Sequence, residues 1–437
     1  MSATSAAVSS GSVTHDAVYK RVIFRLIPLI FACYIFNYLD RVNVGFAKLQ
    51  MLDELSMSET AYGLGAGIFF LGYVTFGVPS NLMLSRIGAR RWISCLMLIT
   101  GILSASMLFV HNETSFYILR FLIGAAEAGF FPGIVFYLSK WFPSARRGRV
   151  MAIFMSAIPL SGVIGGPLSG LILSHFAAGH GGLSGWQWLF LVQGVPTAFL
   201  GMVVYFVLSD DIDRAKWLTT EEKSILKQEM VEDEKSRPRT VADSFAAVLR
   251  NPGVWILGLI YFSIQSGVYS INFWLPSIIR ASGFASTNMV GWLSALPYLF
   301  AGIFMIIVGR SADAKRERRW HLVVPMLMGV GGLLVAANFS SNPTIALVGL
   351  TLATMGALTG LPMFWPLSGG YLSPAAAAGG LALINSIGQV AGFVSPYIVG
   401  WIKDTTGSTD VALYILAGVI LSGAALVLRV PAERVNR

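Results

Sequence analysis

The chain has 437 residues, 55% of them hydrophobic and only 12% charged, with a mean hydropathy of +0.68. Soluble proteins carry about 25% charged residues, so a soluble globular domain is excluded. The formal net charge of +9 then reads as loop charge that orients membrane spans, not as a surface for nucleic acid.

The first 20 residues are polar and Ser/Ala-rich. They lack the basic-then-apolar start and cleavage pattern of a signal peptide and are expected to form a cytoplasmic tail. Twelve continuous apolar runs follow, near 22–46, 60–84, 92–110, 114–139, 149–174, 187–208, 253–279, 287–309, 321–339, 343–367, 377–401 and 410–429. A helix crossing the hydrocarbon core needs about 20 apolar residues. Runs without alternation exclude a β-barrel. Cys33 and Cys95 both fall in apolar runs, which argues against a disulfide framework.

The first run contains Asp40 and Arg41, and the fourth contains Arg120 and Glu127. Charge at membrane depth costs from about 3 kcal/mol upward. Such groups persist when they pair, line water or do work. Asp40 is read as a group that binds and releases a proton, or else as half of a structural ion pair. Arg41 points about 100° away from Asp40 around the helix. Its planar fork suits a carboxylate, either of a substrate or of Glu127. Arg120 lies two turns from Glu127, about 10 Å along the axis. It is read as an anion ligand or as a clamp between helices. No histidine falls at mid-span, so a proton relay has two candidates, Asp40 and Glu127.

Pro132, Pro159, Pro362, Pro366 and the run SGVIGGPLSG in span five predict kinks or close crossings. Residues 209–250 are charged and contain Pro238. They read as a cytoplasmic linker, with Thr219 and Glu222 forming a capping box for a helix through Ile225, Leu226 and Met230. This divides the chain into six-span halves at 21–208 and 251–430, followed by a tail at 431–437. In span seven Tyr269, Asn272 and Trp274, and in span eleven Asn385 and Gln389, are candidates to line a cavity. The amides would otherwise bond between helices. Lys and Arg cluster before span one and after spans two, four and eight, while other loops hold little beyond Lys48, Arg280 and Lys403. That places both termini in the cytoplasm, and the expected location is a plasma (bacterial inner) membrane, crossed many times by the chain.

The loops GVPSNLMLSRIGARRW and VGRSADAKRERRW can be superposed. Both resemble the loop signature of the major facilitator superfamily, Gly-x-x-x-Asp-x-x-Gly-x-Arg-Arg. Gly88, Arg90 and Arg91 fit in the first copy, where Ser85 stands in place of the acid. Gly309, Asp313 and Arg318 fit in the second, where Glu317 replaces a small residue. NYLDRVNVGFA, YGLGAGIFFLGY, LRFLIGAAEAGFFPG, YLSKWFP and INSIGQVAGFVSPYIVG are similar to the anion:cation symporters of that superfamily, the tartrate, phthalate and sugar-acid permease type. The resemblance covers about residues 20–430. It implies an all-α integral membrane protein with twelve transmembrane helices in two pseudo-symmetric six-helix bundles. It also implies alternating access around a central site, with Asp40 and Glu127 as proton-coupling groups, Arg120 and Tyr73 near substrate, and the two loops as gates; Arg41 is placed near substrate by its depth and its fork.

The expected function is proton-coupled import of a small organic carboxylate such as tartrate or a sugar acid. The alternative is an organic-anion antiporter or uniporter without proton coupling. The expected partners are a small organic anion, protons and lipid, with a monomeric chain and no cofactor. No Walker loop, metal-ligand cluster or nucleophile elbow is found, so an enzyme is not expected.

Overall fold

A computed structural model describes residues 15–236 and 245–436. Most of the expected first tail and Pro238 lie outside the described residues. The twelve apolar runs are twelve helices. The first six spans are His15–Leu55, Glu59–Ile87, Ala89–Phe109, Glu113–Ser139, Ser144–His175 and Gly185–Val207. The second six are Pro252–Ala281, Thr287–Lys315, Arg319–Asn338, Pro343–Tyr371, Gly379–Thr406 and Asp410–Leu428. Each is helical because backbone N–H and C=O groups must be satisfied within the segment when lipid surrounds it, and long because it has to cross the hydrocarbon core. Large apolar side chains such as Phe76, Phe206, Ile306 and Ile307 are exposed on the outside, as a lipid-facing surface requires.

Both described chain ends lie at one end of the molecule, here the terminal end. At the opposite, far end the connections are short. Ser58, Asn112, Ser286 and Asn342 each cap the helix that starts there, accepting a backbone N–H on the side chain. The helices run past the apolar cores. Lys48, read from sequence as a loop residue, sits inside span one and is only 4% exposed; Lys403 likewise lies within the last turn of span eleven.

The two six-helix bundles meet along three helix pairs: spans one and seven, two and eleven, five and eight. Glycine permits the closest crossings. A Cβ on Gly166 would meet the Gly291 carbonyl, and one on Gly63 the Pro396 carbonyl. The expected close crossing of span five is thus present. Two of the expected proline kinks are breaks. Span four is interrupted after Glu127 and resumes at Phe130, four residues after Ala128 comes Pro132. Span five breaks at Ser156, with Pro159 four residues after Met155. In each case the proline cannot supply the N–H that the carbonyl four residues back would accept. Pro362 and Pro366 instead sit within a continuous helix.

The stretch expected as a linker contains a helix, Thr220–Ser236, opened by the Thr219–Glu222 capping box. It is pinned to the first bundle. Arg21 binds Glu222 at 2.6 Å, and Trp141 stacks on Trp217 with centroids 5.7 Å apart.

After span eight, Arg318 Nη2 binds Asp313 at 2.7 Å, and Glu317 accepts the backbone N–H groups of Trp320 and His321 at 2.8 and 3.1 Å. Partial burial works to raise the Glu317 carboxyl, but these donors and the His321 ring hold it below the ordinary glutamate range. A carboxyl depressed in the fold stabilises above its unfolded pKa, about 4.3, and that stabilisation fades as pH falls through the folded value. Glu317→Gln should therefore melt earlier than the parent at pH 7, with the gap closing below about pH 4. A gap unchanged by pH would show that Glu317 contributes no charge-dependent stability.

Candidate functional site

A cavity of about 730 Å³ lies between the bundles. At mid-depth its wall includes Arg41, Tyr73, Tyr269 and Gln389. Asn81 and Ser139, near the terminal ends of spans two and four, also line it. It therefore opens toward the terminal end. Tyr34, Tyr38, Tyr261 and Trp365 add aromatic surface, and Gln265 and Asn385 add amides. Arg41 is the one guanidinium among the wall residues.

Arg41 Nε donates to Glu127 Oε2 at 2.6 Å, with the two side chains 12% and 0% exposed. The broken turn of span four begins directly after Glu127. Tyr38, Phe69 and Tyr73 rings stand 5.9, 5.2 and 5.3 Å from the guanidinium carbon, a distance that favours cation–π attraction. The guanidinium has five N–H donors in a fixed fork. Nε is committed to Glu127, and the exposed remainder faces the cavity. Glu127 Oε1 is buried without a hydrogen-bond partner. One acid thus sits directly behind the cavity's cation.

Asp40 is placed differently. Its two oxygens accept from Ser104 at 2.7 Å and Thr197 at 2.9 Å, inside the first bundle. It is 2% exposed and absent from the cavity wall. Arg41 turns away from Asp40, as the divergence of adjacent helix positions implies, and pairs with Glu127. Arg120, 1% exposed, is also off the wall. Its Cζ lies 4.8 Å from the Phe69 ring and 5.9 Å from that of Phe273, and its Nε and Nη2 have no hydrogen-bond partner.

In the second bundle Tyr269 donates to Gln389 Oε1 at 2.7 Å, and Gln265 donates to the Tyr269 hydroxyl at 3.1 Å. Asn385 joins Gln389 on the wall. Asn272 and Trp274 do not line the cavity. Asn272 donates to the Tyr38 hydroxyl and accepts from Tyr298, both at 2.8 Å. Trp274 covers the Lys48 ammonium, which lies 3.5 Å from its ring centroid.

These two residues belong to a closure at the far end that sequence reading missed. Glu59 pairs with both Lys48 and Lys403. Asp404 accepts from the backbone N–H groups of Glu59 and Thr60 at 3.1 and 2.7 Å, and from the Thr60 hydroxyl. Arg280 reaches the Leu49 carbonyl at 3.0 Å, and Tyr62 the Phe273 carbonyl at 3.1 Å. All but the Lys48–Glu59 pair cross between bundles. The missing signal was pairing across distant segments: Lys48, Lys403 and Glu59 each look like ordinary helix-end charges.

Of the loop residues, Gly88 turns the chain between spans two and three at φ 93°, a conformation open to glycine. Asp210, just past span six, accepts from Arg90 N at 3.2 Å and pairs with Arg90 Nε at 3.4 Å. Arg91 lies in the first turn of span three, and Gly309 lies one turn before Asp313 on span eight.

A family model described as Major Facilitator Superfamily matches residues 30–396. A Pseudomonas putida protein named "Putative metabolite transport protein NicT" is 45% identical over 96% of this chain and 96% of its own length. An Agrobacterium vitis protein named "Putative tartrate transporter" is 46% identical over 96% of this chain and 93% of its own. Among solved structures, the Escherichia coli xylose transporter XylE in a partially occluded inward open conformation matches with a TM-score of 0.71 at 15% identity. That match covers 94% of this chain and 98% of that one.

Proposed function

Since this chain belongs to the Major Facilitator Superfamily, we propose that it carries a small organic carboxylate, of the tartrate or sugar-acid kind, by proton-coupled symport with alternating access. The observation that carries this reading is the Arg41–Glu127 pair, in which the cation faces the cavity and the acid is sealed behind it. A substrate carboxylate and Glu127 compete for one fork. When Glu127 takes a proton, it loses its charge-assisted hold, and Arg41 becomes free for the substrate. Tyr73, Asn385 and Gln389 supply donors suited to hydroxyl and carboxylate oxygens, and Tyr269 fixes Gln389 by its amide oxygen. The charge distribution of the loops supports a cytoplasmic terminal end, so the cavity described here is inward-facing. Arg120, Asn272 and Trp274 are assigned to the outward-facing state, where parting of the far-end closure uncovers them. Asp40 is assigned the second proton.

Binding shifts the balance of states only through differential affinity. With protons and substrate both bound, the buried charges are compensated and the bundles can rock past each other. In right-side-out vesicles with an acid exterior, radiolabelled L-tartrate should accumulate about tenfold per coupled proton and pH unit, since 1.4 kcal/mol is a factor of ten. Accumulation that survives collapse of the gradient would remove proton coupling. The position of Asp40 away from the cavity wall favours a second reading, exchange or uniport with Asp40 purely structural. Counterflow without net accumulation is its mark.

A further inference from the structure

Asp40 is isolated from the cavity, yet it stands on a polar stripe, interrupted once at Ala47, that leads to the far end. Asp40, Asn43, Ala47, Gln50 and Glu54 recur on one face of span one at intervals of three and four. From Asp40 to Glu54 the stripe covers about 21 Å of helix rise. Every member but Ala47 is polar. Glu54 is exposed and accepts from the Ser184 hydroxyl at 2.7 Å and from Trp186 Nε1 at 2.8 Å, at the start of span six. Gln50 Nε2 donates to the Leu173 carbonyl of span five at 3.1 Å. Asn43 is 1% exposed, and neither its amide nitrogen nor its oxygen has a hydrogen-bond partner.

The facing helices are polar at the same depth. Thr197 Oγ1 lies 2.9 Å from Asp40 and 3.0 Å from the Gln193 carbonyl, one hydroxyl between two acceptors. Gln193 Nε2 donates to Ser169 at 3.2 Å, while its Oε1 is buried without a partner. An unpartnered buried amide is destabilising, because it gives up its hydrogen bonds to water and gains none in return. The first bundle carries such amides on two helices, between a buried acid and the surface, and apolar residues of similar size would avoid that cost. Asp40 meets hydroxyl groups from spans three and six. The charged groups acting on it are Arg120 and Glu127 of span four, with Arg41 its own neighbour.

We infer that the seam between spans one, five and six is a proton path that connects Asp40 with the far end through Glu54, Gln50, Asn43 and Gln193, separate from the substrate cavity. The seam holds water between these amides. A proton from bulk water passes along it to the Asp40 carboxylate, which becomes a neutral acid. Thr197 then turns its hydroxyl from Asp40 to the Gln193 carbonyl. No bond other than O–H is made or broken. Asn43, Gln50 and Gln193 are positioning residues. This rests on the reading of Asp40 as a proton site and adds a separate route and side of access for its proton.

The test needs no substrate. In full-length protein reconstituted in lipid, time-resolved infrared difference spectra after an acid pH jump, parent minus Asp40→Asn, isolate the protonated Asp40 band. Asn43→Leu and Gln193→Leu should slow its appearance tenfold or more while leaving its final amplitude within a factor of two. Asn43→Gln should restore the rate, which separates conduction from mere structural support. Unchanged rates in both leucine variants would overturn the path. Absence of any Asp40 band between pH 5 and pH 9 would instead overturn the reading of Asp40 as a proton site.

Discussion

Glu127→Gln should abolish proton-driven accumulation of tartrate while preserving counterflow. The variant keeps the side-chain shape and an oxygen that can accept from Arg41 Nε, now 2.6 Å from the glutamate. It removes the charge that competes with substrate. Breaking a buried pair costs about 3–5 kcal/mol when one partner is deleted outright. The isosteric amide cannot take up or release a proton, so the accumulation that this coupled proton supports, about tenfold per pH unit, should be lost. Exchange across equal pH needs no proton cycle and should stay within a few-fold of the parent. Loss of both activities together would make Glu127 a structural anchor. Full retention of both would show that the proton is carried elsewhere. Arg41→Lys sharpens the test: a point charge keeps the electrostatics but loses the bidentate fork, so KM for tartrate should rise even where transport persists.

Asp404→Asn should tilt the protein toward opening at the far end. Three donors from Glu59 and Thr60 converge on the exposed Asp404 across the bundle interface, where solvent holds a charged contact to about 0–1 kcal/mol each. Neutralising it weakens all three, while the Glu59–Lys403 pair beside them remains. The two-state ratio should move by up to about tenfold, because 1.4 kcal/mol is a factor of ten. Spin labels at the exposed far-end positions Asp53 and Thr405, in a Cys33→Ser, Cys95→Ser background, report the separation of the bundles. A longer-distance population should grow in Asp404→Asn. An unchanged distribution would mean that the glycine-mediated helix crossings hold the far end closed without these charges.

The residues of the site divide by how local their determinants are. Twelve spans, the capping box at Thr219 and the breaks near Pro132 and Pro159 were readable because each depends on neighbours within about one helical turn. Arg41, Tyr269, Asn385 and Gln389 were legible as candidates because polar and cationic groups at membrane depth are rare and face the bundle interior, but the same rule chose Arg120, Asn272 and Trp274, which lie off the cavity wall, and Tyr73 came from the family resemblance. Nothing in the order of residues revealed that Asp210 pairs with Arg90, or that Lys48 is buried under Trp274.

The chain alone determined that this is a polytopic helical membrane protein with two acids and two arginines at depth, since hydropathy and charge spacing are properties of segments taken singly. Tertiary structure alone decided which of those charges meet. Each span can rotate about its axis without altering its own hydrogen bonds. Packing against other helices sets that rotation, and here it turns Arg41 toward the cavity with Glu127 behind it while Asp40 faces Ser104 and Thr197.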